Sequence, residues 1–184
     1  MKRLDVFIQS LRIRKALPYI PLRSDILDIG CADGALFRMA GNHLRQGIGV
    51  DPGIAQEVVH QNFRLIPGTF PESIPIDLSF DVITMLAVFE HIDHEKLQFT
   101  LKEIKRILKI NGTFILTTPA SWSDKILHLM SEVNLISKEE IHEHKHNHSH
   151  EKIRDILIEA GFEKSKIKNG FFEAYMNMWF EITK

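Results

Sequence analysis

Apolar positions along the chain follow two alternating rhythms. Short β-branched or aromatic runs occupy residues 25–30, 47–51, 63–66, 80–86 and 113–118, bounded by Gly, Pro, Asp or Asn. Between them lie segments with apolar residues three and four apart. Residues 35–44 show this through Leu36, Met39, Ala40 and Leu44, and residues 94–108 through Leu97, Leu101, Ile104, Ile107 and Leu108. A shorter helix is predicted over 54–60, and residues 67–79 form a proline-broken loop. Asn111-Gly112 reads as the C-terminal cap of the 94–108 helix. Strands alternating with helices in this way imply βαβ units on a parallel, doubly wound sheet. Further on, 121–133 reads as an inserted helix and 151–160 as another, ended by Gly161. The tail reads as two strands, 162–168 and 171–183, joined at Asn169-Gly170, a strong hairpin signal. At the other end, residues 1–17 predict a basic amphipathic helix packed on the domain edge, with Leu4, Phe7, Ile8 and Leu11 on one face.

Composition narrows the class. The chain has 184 residues, 44% hydrophobic and 26% charged, the profile of one ordinary globular domain. Lys and Arg number 23 against 24 Asp and Glu, for a formal charge of −1. A protein that neutralises many phosphates is normally more basic, so nucleic acid is disfavoured as a partner. The ten histidines make that charge sensitive to pH near neutrality. The lone Cys31 cannot form an internal disulfide and fits a reducing cytoplasm or indifference to redox state. The longest apolar-rich stretch, around residues 82–89, is far short of the roughly 20 residues of a membrane span.

Two features carry chemistry. Asp28-Ile29-Gly30-Cys31-Ala32-Asp33-Gly34 lies between a predicted strand and a predicted helix, where glycines let the backbone turn tightly and approach a ligand. Asp51 ends the next strand, at the distance where a carboxylate meets both ribose hydroxyls of a bound nucleoside. Together they point to an adenosine-type cofactor at the carboxyl ends of the sheet. A dinucleotide fingerprint needs a second glycine where Ala32 stands, and Asp28 would repel a pyrophosphate. S-adenosylmethionine (SAM) carries a positive amino group and no phosphate, which suits Asp28.

On these residues the chain resembles the class I SAM-dependent methyltransferases over nearly its whole length. Asp28–Gly34 is similar to the motif that cradles the methionine part of SAM, and Asp51 to the ribose-binding acid. Gly68-Thr69-Phe70 stands where the family reads the adenine edge, with Thr69 in place of the commoner Asp. Residues 80–91 resemble the fourth-strand motif and its turn, 101–119 the following helix and fifth strand, and 157–162 the entry to the last hairpin. The resemblance implies an α/β Rossmann-like, seven-stranded, mostly parallel sheet ending in an antiparallel hairpin. It implies a cofactor site of Asp28, Gly30, Cys31, Ala32, Gly34, Asp51, Pro52, Gly68, Thr69, Phe70, Leu86 and Ala87. Cys31 itself reads as a small packing residue rather than a nucleophile.

The turn after the fourth strand bears on the acceptor. Enzymes of the superfamily that methylate base or glutamine amines typically carry Asn/Asp-Pro-Pro-Tyr/Phe there, whereas this chain has Leu86-Ala87-Val88-Phe89. Glu90-His91 resembles small-molecule enzymes, the quinone O-methyltransferases among them. Leu86 and Phe89 offer none of the extra acids that hold a metal in some of those, so no metal is implied. The reading is methyl transfer to a small-molecule acceptor, O-methylation of a metabolite or saccharide foremost, with Glu90 and His91 facing the acceptor. The alternative is a SAM-binding regulatory or scaffold protein without turnover; a nicotinamide oxidoreductase is disfavoured by the missing glycine.

Half of the histidines alternate over one short stretch, His142, His144, His146, His148 and His150. An extended chain would line them on one face, able to ligate zinc or nickel; the plainer reading is a solvated connection. Residues 135–145 also resemble methyltransferases of sugar or polysaccharide pathways, which implies that 121–150 covers the acceptor and that His144 acts as a general base.

Overall fold

The computed structural model describes residues 3–120 and 149–184. Helix α1 (Arg3–Ala16) leads into strand β1 (Ser24–Ile29), then α2 (Ala35–Ala40), β2 (Leu44–Asp51), β3 (Val58–Val59) and β4 (Phe63–Pro67). Next come β5 (Phe80–Leu86), α3 (His94–Ile107), β6 (Leu108–Pro119), α4 (His150–Glu159), β7 (Ile167–Phe172) and β8 (Asn177–Thr183). The strands form one sheet in the order β3-β4-β2-β1-β5-β6-β8-β7. Pairs β1/β2, β1/β5, β2/β4 and β5/β6 are parallel, whereas β3/β4, β6/β8 and β7/β8 are antiparallel. The winding direction reverses between β1 and β5, and in such sheets the crevice outside the carboxyl ends at the reversal is where ligands bind.

Helices cover both faces, which explains why the central strands read as near-continuous apolar runs. On one face Ile13, Ala16, Leu36 and Phe37 of α1 and α2 bury Ile26, Val82 and Ile115. On the other, Leu101, Ile104, Ile153 and Leu157 of α3 and α4 bury Leu27, Ile83 and Phe114. Each such aliphatic side chain withdrawn from water contributes about 1.5–3 kcal/mol. Among the described residues no helix is long and apolar enough to cross a membrane.

Five expectations need correction. The sheet has eight strands rather than seven, because 54–60 is not a helix: Val58 and Val59 pair antiparallel with Leu65 and Arg64. Seven residues with two adjacent β-branched valines cannot repay helix nucleation. The helix over 35–44 stops at Ala40, at Gly41 with φ 52°, and Leu44 already pairs with Ser24 in the sheet. Asn111-Gly112 does not cap α3. The chain enters β6 at once, Leu108 pairs with Phe80 and Thr113 with Val82, and the residues between bulge out with Asn111 at φ 61°.

Asn169-Gly170 is likewise not the hairpin turn but the middle of β7, where the two residues pair with Phe180 and Trp179. A Cβ on Gly170 would stand 2.9 Å from Trp179 Nε1, so the glycine lets a tryptophan lie on the strand. The turn falls at residues 173–176. Finally, α1 does not bury the face of Phe7, Ile8 and Leu11: Phe7 is 55% exposed, while Asp5, Ile13 and Ala16 are buried. Of α1, only Ile13 and Ala16 reach the apolar core.

The α3 stripe is the largest sequence-legible part of this packing. Leu101→Ala should cost about 2–5 kcal/mol of stability, as expected for a fully buried leucine, when read by urea unfolding. A loss below about 1 kcal/mol would contradict the assigned packing.

Candidate active site

The crevice at the carboxyl ends of β1, β2 and β4 holds a cavity of about 360 Å³. Its wall comes from Ile29 and Gly30 after β1, Val50 and Pro52 after β2, residues 68–72 after β4, and Val88, 91–93, Lys96, Phe99 and Thr100 between β5 and α3. Gly30 has φ 75°, and a Cβ there would run into the Val88 side chain, so this position needs glycine on both counts.

Asp51 organises the rim. Its Oδ2 accepts the Ala32 N–H at 2.9 Å and its Oδ1 the Gly53 N–H at 2.7 Å. The Asp51 carbonyl accepts the Gly68 N–H at 3.2 Å, and the Val50 carbonyl accepts the Gly30 N–H at 2.8 Å. The loops after β1 and β4 are thereby tied to the end of β2.

Beneath the rim, Asp28 is buried and its Oδ1 accepts the Thr84 hydroxyl at 2.6 Å. Burial pushes its carboxyl up to about 7, the Thr84 bond opposes that, and the nearby Asp51 charge adds to it. Neither carboxylate has an ion-pair partner among the described residues. The same two charges, after burial itself, drive the Cys31 thiol far above its usual range, so Cys31 is an inert packing residue. Carboxylates near the crevice without a paired cation repel phosphate and suit a cationic ligand.

Five of the twelve residues assigned to the cofactor line this cavity: Gly30, Pro52, Gly68, Thr69 and Phe70. Asp28, Cys31, Ala32, Gly34, Asp51, Leu86 and Ala87 do not, although Asp51 and Ala32 fix its rim and Asp28 lies beneath it. Ala87, at φ 57°, donates its N–H to the Thr117 carbonyl at 2.9 Å and turns the chain towards Val88. His91 lines the cavity. Glu90, between Val88 and His91, is 2% exposed; its Oε2 accepts the Thr118 hydroxyl at 3.0 Å and its Oε1 has no partner. His144, and with it His142, His146 and His148, lies outside the described residues. His150 begins α4, with Nε2 3.0 Å from the Gly170 carbonyl and its ring edge-on to Phe171.

Sequence reasoning missed Val88, Asp93, Lys96, Phe99 and Thr100. Helical periodicity singles out the buried stripe of Leu97, Leu101 and Ile104, whereas Lys96, Phe99 and Thr100 flank it and carry no period of their own.

Burial of Asp28 has a measurable consequence. Its carboxyl holds a proton to about 7 in the folded chain but only to the usual 3.8 when unfolded. The protonated form therefore stabilises the fold, fully below about pH 4, and that contribution is lost as pH rises towards neutrality. Thermal unfolding should show the wild type losing stability relative to Asp28→Asn across that interval; a constant difference would contradict the burial.

Comparison with known proteins agrees with this geometry. A family model described as a methyltransferase domain matches residues 3–167. A SAM-dependent methyltransferase from Archaeoglobus fulgidus superposes with TM-score 0.73 at 18% identity, covering 96% of this chain and 93% of that one. One from Mesorhizobium loti gives 0.67 at 15%, covering 96% and 97%. The N-methyltransferase NodS from Bradyrhizobium japonicum gives 0.61 at 12%, covering 98% and 96%. No curated protein matches the sequence at a significant level. With the family model spanning most of its length, the chain belongs to the methyltransferase-domain family.

Proposed function

We propose that the chain O-methylates a small-molecule acceptor, a metabolite or a saccharide, and that residues 1–184 act as a single domain, with 121–150, of which 121–148 lie outside the described residues, assigned to cover the acceptor. The observation that carries this reading is the pair Asp28 and Asp51, uncompensated beside an apolar cavity, at the end of the sheet where Glu90 also keeps an unpartnered oxygen. When bound, SAM supplies an electrophilic methyl group on a sulfonium.

The chain's own residues have separable tasks. Asp51 keeps lone pairs free beyond its two backbone bonds and is assigned to the ribose hydroxyls. Pro52, Gly68, Thr69 and Phe70 form the slot for the base. Gly30, Cys31, Ala32, Gly34, Leu86 and Ala87 shape the turns around the methionine end, and Asp28 balances its positive charge. Binding thereby supplies proximity and orientation, the larger part of catalysis for such a transfer. Glu90 and His91 are assigned to receive the hydroxyl proton of the acceptor, with His144 of the covering segment as a third candidate. The near-zero net charge and the Leu86-Ala87-Val88-Phe89 turn favour a small acceptor over a nucleic acid.

Asp51→Ala should weaken SAM binding at least about tenfold, about 1.4 kcal/mol, with the circular dichroism unchanged. Calorimetry showing unaltered affinity would remove Asp51 from the cofactor site. Release of S-adenosylhomocysteine over a panel of hydroxylated acceptors tests turnover; SAM binding with no turnover on any would favour the regulatory or scaffold reading.

A further inference from the structure

Thr69 leaves the slot for the base without the carboxylate that the family commonly places there. Its hydroxyl has a single proton, and that proton is committed: Thr69 Oγ1 donates to Glu72 Oε2 at 3.1 Å. Glu72 lines the cavity together with Thr69, Phe70 and Pro71, yet it belongs to none of the motifs that mark the cofactor site. A carboxylate thus reaches the wall of the slot from three residues further along the chain.

The local backbone brings it there. The Gly68 N–H is tied to the Asp51 carbonyl at 3.2 Å, so the segment starts from the rim. The Ser73 N–H then donates to the Thr69 carbonyl at 2.9 Å and the Ile74 N–H to the Pro71 carbonyl at 3.0 Å, which closes residues 69–74 into a single helical turn. Residues three apart share one side of such a turn, which is why the Thr69 hydroxyl can hold the Glu72 carboxylate. Among the described residues no ion pair engages Glu72, and its Oε1 keeps lone pairs for a ligand. Phe70, Pro71, Glu72 and Phe99 line both this cavity and a neighbouring one of about 410 Å³, so they form the partition between the two. A flat base laid against the rings of that partition leaves its polar edge to Glu72, the partition's one charged side chain.

We propose that Glu72, positioned by Thr69, selects the base of the cofactor by accepting a hydrogen bond from the exocyclic amine of adenine. The inference rests on the methyltransferase reading above and adds to its cofactor site a residue that the motifs leave out. Adenine offers N–H donors at that edge, whereas hypoxanthine offers an oxygen there, which a carboxylate repels. A site built to hydrogen-bond an N–H rejects the analogue that lacks it far more strongly than pocket shape alone can.

The test uses the full chain and calorimetry with S-adenosylhomocysteine and S-inosylhomocysteine, which differ only at this edge of the base. The wild type should bind the adenosyl form at least about tenfold more tightly. Glu72→Ala should weaken the adenosyl form about tenfold and bring the two within about twofold of each other. Thr69→Val, which leaves Glu72 unheld, should narrow the preference. Glu72→Ala combined with Thr69→Asp, which returns a carboxylate to the wall, should restore it. A Glu72 that merely closed the turn would on removal weaken both forms alike. Equal affinities in the wild type, or an undiminished preference in Glu72→Ala, would therefore overturn the proposal while the methyltransferase reading stands. Binding of neither form by the wild type would instead remove that reading, and the proposal with it.

Discussion

The carboxylate and carbonyl of Asp51 hold three strand ends in one arrangement, and the crevice depends on that arrangement. Parallel strands leave their carboxyl-end loops free to diverge, because the ladder bonds stop where the strands do. Here Ala32 after β1 and Gly53 after β2 share the Asp51 side chain, while Gly68 after β4 takes its carbonyl. A single residue thus converts three loops into one rim. The charge of the same carboxylate also acts on buried Asp28, adding to the upward push of burial.

Burial and backbone strain are distributed differently over the molecule. The apolar residues on both faces of the sheet are buried in ordinary fashion, with helices α1 and α2 on one side and α3 and α4 on the other. Of the non-glycine residues with positive φ, Ala32 and Ala87 border the cavity and residues 173–175 form the β7–β8 turn, whereas Arg23 and Asn111 stand at the opposite ends of the strands. Such conformations persist only where the surroundings over-determine them. Asp25, Asp81, Arg45 and Lys109 form an ion-pair network at the opposite end of the strands, which pins β1, β2, β5 and β6 together away from the chemistry.

Much of the fold was legible because its strongest signals are local. The β1 and β5 runs and the α3 stripe have a clear period, and Gly30 follows from the strand–turn pattern, whereas Pro52, Gly68, Thr69 and Phe70 follow from the family resemblance. Features set by partners distant in sequence were not legible. Asn169-Gly170 is good turn chemistry, but Trp179 needs a flat strand beneath it, and that demand prevails. Asn111-Gly112 is a good helix cap, but the β5–β6 register absorbs it as a bulge. Lys96 and Phe99 were silent because nothing in a helical period marks the residues beside a buried stripe.

The central claim is that uncompensated carboxylates make this cradle select a cationic, phosphate-free nucleoside. Calorimetric titration of the intact chain with SAM and with NAD, under identical conditions, tests it most directly. Saturable one-to-one binding of SAM, with no measurable heat from NAD at the same concentration, is the expected result. Binding of NAD as tight as that of SAM, or tighter, would contradict the account.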